Sequence, residues 1–189
     1  MLGPYQYFAG DTMSAEAHRI ANTIVSMRDN LAGTATFLMV LNSPAYTSIL
    51  ESFGIDAGSA VKFGRMDGTS HPPLDVQASV ARIRGNPQYN LDYIGVFLMA
   101  TVSLVADGLS RNSYFTKSPE LEFLRHIRNA IAHGNCFFLK PGEPRRPAHF
   151  KNFTISPALQ GTEVFWKFMK PGDMLDLLET VEAQLRALA

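Results

Sequence analysis

Between Asp92 and Asp107 the chain runs from Tyr93 to Ala106 without a single charge. A stretch of this kind has few places to go. It is shorter than the roughly 20 residues that a membrane span needs. It therefore reads as the centre of a buried helix, starting at Asn86-Pro87, reaching about Leu109 and stopped near Gly108. A helix that is apolar on most sides must be surrounded by other elements.

The rest of the chain supplies them. From Ser14 to about Leu41, Ile20, Ile24, Met27 and Leu31 recur at helical spacing. Ser43 to Phe53 opens on Ser-Pro, an N-cap followed by proline at the first helical position, and ends at Gly54. Residues 54–73 are rich in Gly, Asp, Ser and Pro and read as loop. Leu74 to Ile83 reads as a short helix, and Ser110 to Lys117 as a polar loop. Ser118-Pro119-Glu120 combines a cap, a proline and an acid at the positive end of the helix dipole. The helix it opens runs to His133, with Gly134 as its left-handed terminus. His149 to Ser156 and Thr162 to Met169 are rich in Phe, Thr, Ile, Val and Trp, with PALQG between them, and read as a β-hairpin. Asp173 to Leu188 sets Met174, Leu177, Leu178, Val181, Leu185 and Leu188 on one stripe. The expectation is one mainly α domain over residues 1–189, a helical bundle with a β-hairpin inserted before the C-terminal helix.

Composition narrows the class. The chain is 46% hydrophobic and 18% charged, a globular profile. Lys plus Arg, 17, equals Asp plus Glu, 17, so no overall basic field advertises a nucleic-acid partner. Cys136 is the one cysteine, which excludes a disulfide framework and a Cys-based zinc site. It reads as a small buried hydrophobe. The start, MLGPYQYFAGDT, lacks the basic residues and apolar run of a signal peptide. A cytoplasmic protein with no membrane partner is expected. His18, His71, His126, His133 and His149 are scattered, with no ligand spacing, so no metal site and no cofactor are expected.

Residues 125–135, RHIRNAIAHGN, hold two arginines, two histidines and two asparagines. On a helical wheel at about 100° per residue, Leu121, Leu124, Ile127 and Ile131 gather on one side. Glu122, Arg125, His126, Asn129 and His133 gather on the other, and Arg128 falls at the border. Arg128 and His133 are about 140° apart and do not face each other within one helix. His133, in the last turn, is the side-chain type suited to proton transfer near neutral pH. It is equally an ordinary helix-terminal cap. From Arg125 to Lys151 the cations are Arg125, Arg128, Lys140, Arg145, Arg146 and Lys151, against the single acid Glu143. Such a window is what phosphate contacts need.

The pattern Arg, four residues, His, with Asn129 after the arginine and Gly134 after the histidine, resembles the HEPN superfamily (higher eukaryotes and prokaryotes nucleotide-binding domains). The longer string LRHIRNAIAHGN looks like bacterial members. The order of helices is also similar. The resemblance implies a metal-independent endoribonuclease of a prokaryotic defence, toxin or stress system. It implies a homodimer in which Arg128 of one chain approaches His133 of the other. In that chemistry the RNA 2′-hydroxyl attacks the adjacent phosphate. His133 transfers a proton, Arg128 stabilises the phosphorane and Asn129 orients. Arg125, His126, Asn135, Arg145 and Arg146 are the expected substrate-binding residues. An antitoxin or regulatory protein is a further implied partner. Some members carry a tyrosine two residues after the histidine, where a partner nucleotidyltransferase adds AMP groups. Here that position is Asn135, so that form of control does not carry over. Other members only bind nucleotides or proteins, and a non-catalytic binding module is the alternative.

Overall fold

Three of the helices start on a proline, as its fixed φ and missing N–H favour. The computed structural model describes residues 7–54, 62–84 and 86–188. Its α-helices are α1 (Tyr7–Asn42), α2 (Tyr46–Ser52), α3 (Val76–Arg84), α4 (Pro87–Arg111), α5 (Pro119–Ala132) and α6 (Pro171–Arg186). Helix makes up 62%, so the fold is mainly α. Two short strands, β1 (His149–Phe150) and β2 (Phe153–Thr154), form the one sheet seen among the described residues.

The chain divides into two compact units, Met1–Leu31 with Gly95–Ala189, and Ala32–Ile94. The second is small. Leu38, Leu41 and Tyr46 form its buried cluster, with Val40, Leu50, Val80 and Ile83 against it. The Arg84 guanidinium lies over the Tyr46 ring, 5.8 Å from its centroid. Ser43 does not cap α2. Its hydroxyl instead accepts the Ala45 N–H, and α2 begins at Tyr46 with no side-chain cap. Within the expected loop 54–73, residues 55–61 lie outside the described residues. Residues 63–71 make a tight turn in which Asp67 accepts the Thr69 N–H.

In the larger unit, buried residues come from α1, α4, α5, α6 and β1. Ile20 and Ile24 are contributed by α1, Leu98, Val102, Val105 and Leu109 by α4, Leu121, Phe123, Leu124 and Ile127 by α5. The α6 stripe Met174, Leu177, Leu178, Val181 and Leu185 is buried, as its spacing requires, whereas Leu188 is half-exposed. Gly108 does not stop α4, which continues to Arg111. Its role is close approach: a Cβ there would meet the Ile20 side chain at 3.2 Å. The apolar stretch also belongs to a longer helix than its charge-free part suggests. With 25 residues and a window of mean hydropathy 1.6, α4 is long and apolar enough to cross a membrane, although 44% of that window is buried inside the protein.

α5 begins and ends as its sequence dictates. The Ser118 hydroxyl accepts the Leu121 N–H, and it donates to the Gln184 side chain of α6. Gly134 takes φ +75° directly after the His133 cap.

The expected long hairpin is not formed. β1 and β2 pair within the first expected strand, turning at Lys151 (φ +50°). Residues 162–169 pair elsewhere, with the chain leaving α5. The Phe137 N–H donates to the Thr162 carbonyl, and the Val164 N–H to the Asn135 carbonyl. Val164 and Phe165 are then buried, and Trp166 turns the chain sharply at φ +80°. Much of the apolar surface still packs inward: Phe150, Ile155, Phe165 and Met169 are nearly inaccessible, whereas Trp166 is exposed. The apolar pattern foretold burial, but strand partners depend on which backbone edge arrives first in space. Cys136 is half-buried rather than fully buried, and its backbone pairs antiparallel with that of Glu163.

Candidate functional site

Residues 121–124 are all buried, on every side of α5, in the stretch of helix where β1 and α6 pack against it. The two-faced wheel therefore fails at this end of the helix. Glu122 and His126, expected on the outer face, are only 7% and 2% exposed. Exposure begins at Arg125 and grows toward the C-terminus. Arg128 and Asn129 are half-exposed, and Ala132 and His133 are exposed.

Arg125 does not point freely outward. Its Nε donates to Glu122 at 2.9 Å, and the guanidinium lies 3.7 Å from Glu143. Its Nη2 stands 2.9 Å from His126 Nε2. Arginine can only donate, so Nε2 accepts and the imidazole is neutral, with its proton on Nδ1. Burial, and then the Arg125 charge, lower the His126 pKa, against the pull of Glu143 and Glu122. Glu143 is pushed up by burial, yet its pKa ends below the usual value. The Lys140 N–H and the charges of Arg125 and Lys140 outweigh the burial. His126 is thus a structural histidine rather than an exposed substrate ligand.

This has a pH consequence. An unfolded chain takes up a proton at His126 near pH 6.5, the ordinary value, while the folded protein still resists it. Stability contributed by the neutral ring is complete above that pH. It is lost as pH falls from there through the lower folded value. Urea midpoints measured on both sides of that pH should show this slope, and His126→Gln should flatten it. An unchanged slope in the variant would assign the effect to other groups.

Arg128 leans on α4. Its Nε and Nη2 both donate to Asp107 Oδ1, at 3.0 and 2.7 Å. Its Nη1 has no protein acceptor among the described residues, and the pair stays partly in solvent. Asp107 was not singled out from the sequence. Its one signal was its place, as the acid that ends the apolar stretch; with its side chain 46% exposed, water could equally serve it. Tyr114, in the turn between α4 and α5, lies near the same charges. Burial pushes its phenol pKa up, with Arg125 and Arg128 opposing.

His133 is the C-cap. Its N–H donates to the Asn129 and Ala130 carbonyls. Its ring meets Phe138, with centroids 5.0 Å apart at 41°. No hydrogen bond joins Arg128 to His133 within the chain, and among the described residues the Asn129 side chain bonds to neither. Asn135 is a structural clamp. At φ +65° its Oδ1 accepts the Phe165 N–H at 2.9 Å, and its Nδ2 donates to Glu163 at 3.3 Å.

The basic window is largely neutralised by acids from outside it. Asp107 holds Arg128, Glu122 holds Arg125 and lies 3.9 Å from Arg146, and Asp176 holds Lys151. Lys140 and Arg145 are exposed and form no side-chain ion pair among the described residues. Among the described residues no three His, Cys, Asp or Glu side chains gather as a metal-binding group. No protein-family model, curated protein or solved structure matches this chain.

Proposed function

We propose that the protein is a HEPN-type, metal-independent endoribonuclease of a prokaryotic defence, toxin or stress system, working as a cytoplasmic homodimer on RNA without a cofactor. One observation carries the reading. An arginine fixed by a carboxylate, with donors left to solvent, lies five residues before an exposed histidine at the end of the same helix. An arginine pre-oriented this way loses less freedom when it meets a phosphate. The 2′-oxygen attacks phosphorus, the bond to the 5′-oxygen breaks, and a cyclic phosphate and a 5′-hydroxyl result. His133 moves a proton in that exchange, and Arg128 faces the charge that builds on the phosphorane. Arg128 and His133 make no direct contact within one chain, which favours a cleft completed by a second subunit. An antitoxin or regulatory protein that covers this cleft is part of the same proposal.

The test is direct. Purified protein should be a dimer by light scattering at tens of micromolar. It should cleave single-stranded RNA in EDTA and spare DNA and 2′-O-methyl RNA, which lack the nucleophile. A monomer that cleaves nothing, with or without added metal, would put the alternative ahead. That alternative is a non-catalytic nucleotide- or protein-binding module. The neutralised basic window favours it, since few free cations remain for a polyanion.

A further inference from the structure

Beyond Gly134 the chain leaves α5 as an extended segment, and its pleat sends alternate side chains to opposite sides. Phe137 goes inward, 1% exposed, with its ring edge-on to Phe168 at 5.1 Å. Phe138 goes outward and is 54% exposed. Its ring pairs with His133, which is itself exposed. Two bare aromatic rings side by side at the end of a helix are not explained by the core, which neither enters.

The surroundings say what would cover them. The Arg128 guanidinium lies on the same helix, in its last turns, with Nη1 donors unused. Exposed Lys140 follows Phe138 by two residues, and Arg145 stands farther along the same loop without an ion pair. An exposed aromatic face followed along the chain by the exposed cations Lys140 and Arg145, neither in a side-chain ion pair among the described residues, suits a nucleobase attached to a phosphate, because any base can stack and cations take the backbone.

We infer that Phe138 is a base-stacking platform that seats one nucleobase of single-stranded RNA beside His133. This rests on the ribonuclease reading and adds to it the residue that positions the nucleotide. A base stacked on Phe138 holds its own ribose next to the imidazole, so the 2′-hydroxyl comes within reach of the proton acceptor. Phe138 itself transfers nothing. No purine or pyrimidine is preferred, since the platform offers a face and no hydrogen-bonding edge.

The probe is a short single-stranded 2′-O-methyl oligoribonucleotide containing 2-aminopurine, which binds without being cut. Wild-type protein should quench the 2-aminopurine fluorescence on binding. Phe138→Ala should lose the quenching and bind about 5- to 100-fold more weakly. Phe138→Leu keeps apolar bulk without a π face and should behave like Phe138→Ala, whereas Phe138→Tyr should restore binding and quenching. Because the side chain is exposed, all three variants should melt like wild type. Wild-type affinity and quenching in Phe138→Leu would overturn the inference and leave the ribonuclease reading standing. Conversion of the protein to a monomer by Phe138→Ala would also overturn it, and assign the ring to a contact between two copies. A wild-type protein that binds no such oligonucleotide would remove both.

Discussion

His133→Ala is expected to slow cleavage of single-stranded RNA by about 10² to 10⁴, the usual loss when a general acid or base is removed. Folding should hardly change, by less than about 1 kcal/mol, because the side chain is exposed and meets Phe138 alone among the aromatic rings. Arg128→Ala should cost a similar factor in rate. It also frees Asp107, whose exposure lets water take over its hydrogen bonds at little cost in stability. Asp107→Asn separates orientation from charge: it leaves Arg128 present but loosely held, so the rate should fall by less than in Arg128→Ala. His126→Ala is a control of a different kind from what an outward-facing histidine would provide. Its ring is 2% exposed and accepts from Arg125, so the variant should be less stable and not selectively inactive. Cleavage that persists in His133→Ala but stops with EDTA would end this mechanism.

Phe123→Ala is the substitution expected to hurt the fold most. The ring is fully buried on α5, with centroids 6.2 Å from Phe150 and 6.1 Å from Phe168. Removing it leaves a cavity where α5 meets β1 and the segment that follows. Such losses cost about 3 to 5 kcal/mol, a large share of the roughly 5 to 15 kcal/mol that holds a typical domain. A shifted urea midpoint at unchanged slope is the expected reading. It probes how the segment around Phe150 and Phe168 packs against α5. A cost below about 1 kcal/mol would mean that this segment is peripheral to α5.

What the sequence determined by itself was local. The Ser118-Pro119 cap, the Gly134 terminus, the apolar run of α4 and the stripe of α6 each follow from contacts within a few residues, and each was legible at its own position. So was the exposure of His133, because the end of a helix followed by a glycine has little to pack against. Tertiary structure decided what depends on neighbours distant in sequence. Asp107 reaches Arg128 only because α4 and α5 pack together, and that pairing, with Asp176 on Lys151, removes most of the charge that the window 125–151 promised. A wheel assigns one inner face, but α5 is enclosed on several sides at its first turn, so His126 and Glu122 went inside. The segments beyond it were read correctly as apolar, but neither forms the extended strand expected of it: 149–156 folds back on itself at Lys151, and 162–169 turns at Trp166. Backbone donors are alike at every residue, so the choice of Asn135 and Phe137 as partners for residues 162–164 was made by proximity, after the helices had set where the chain emerges.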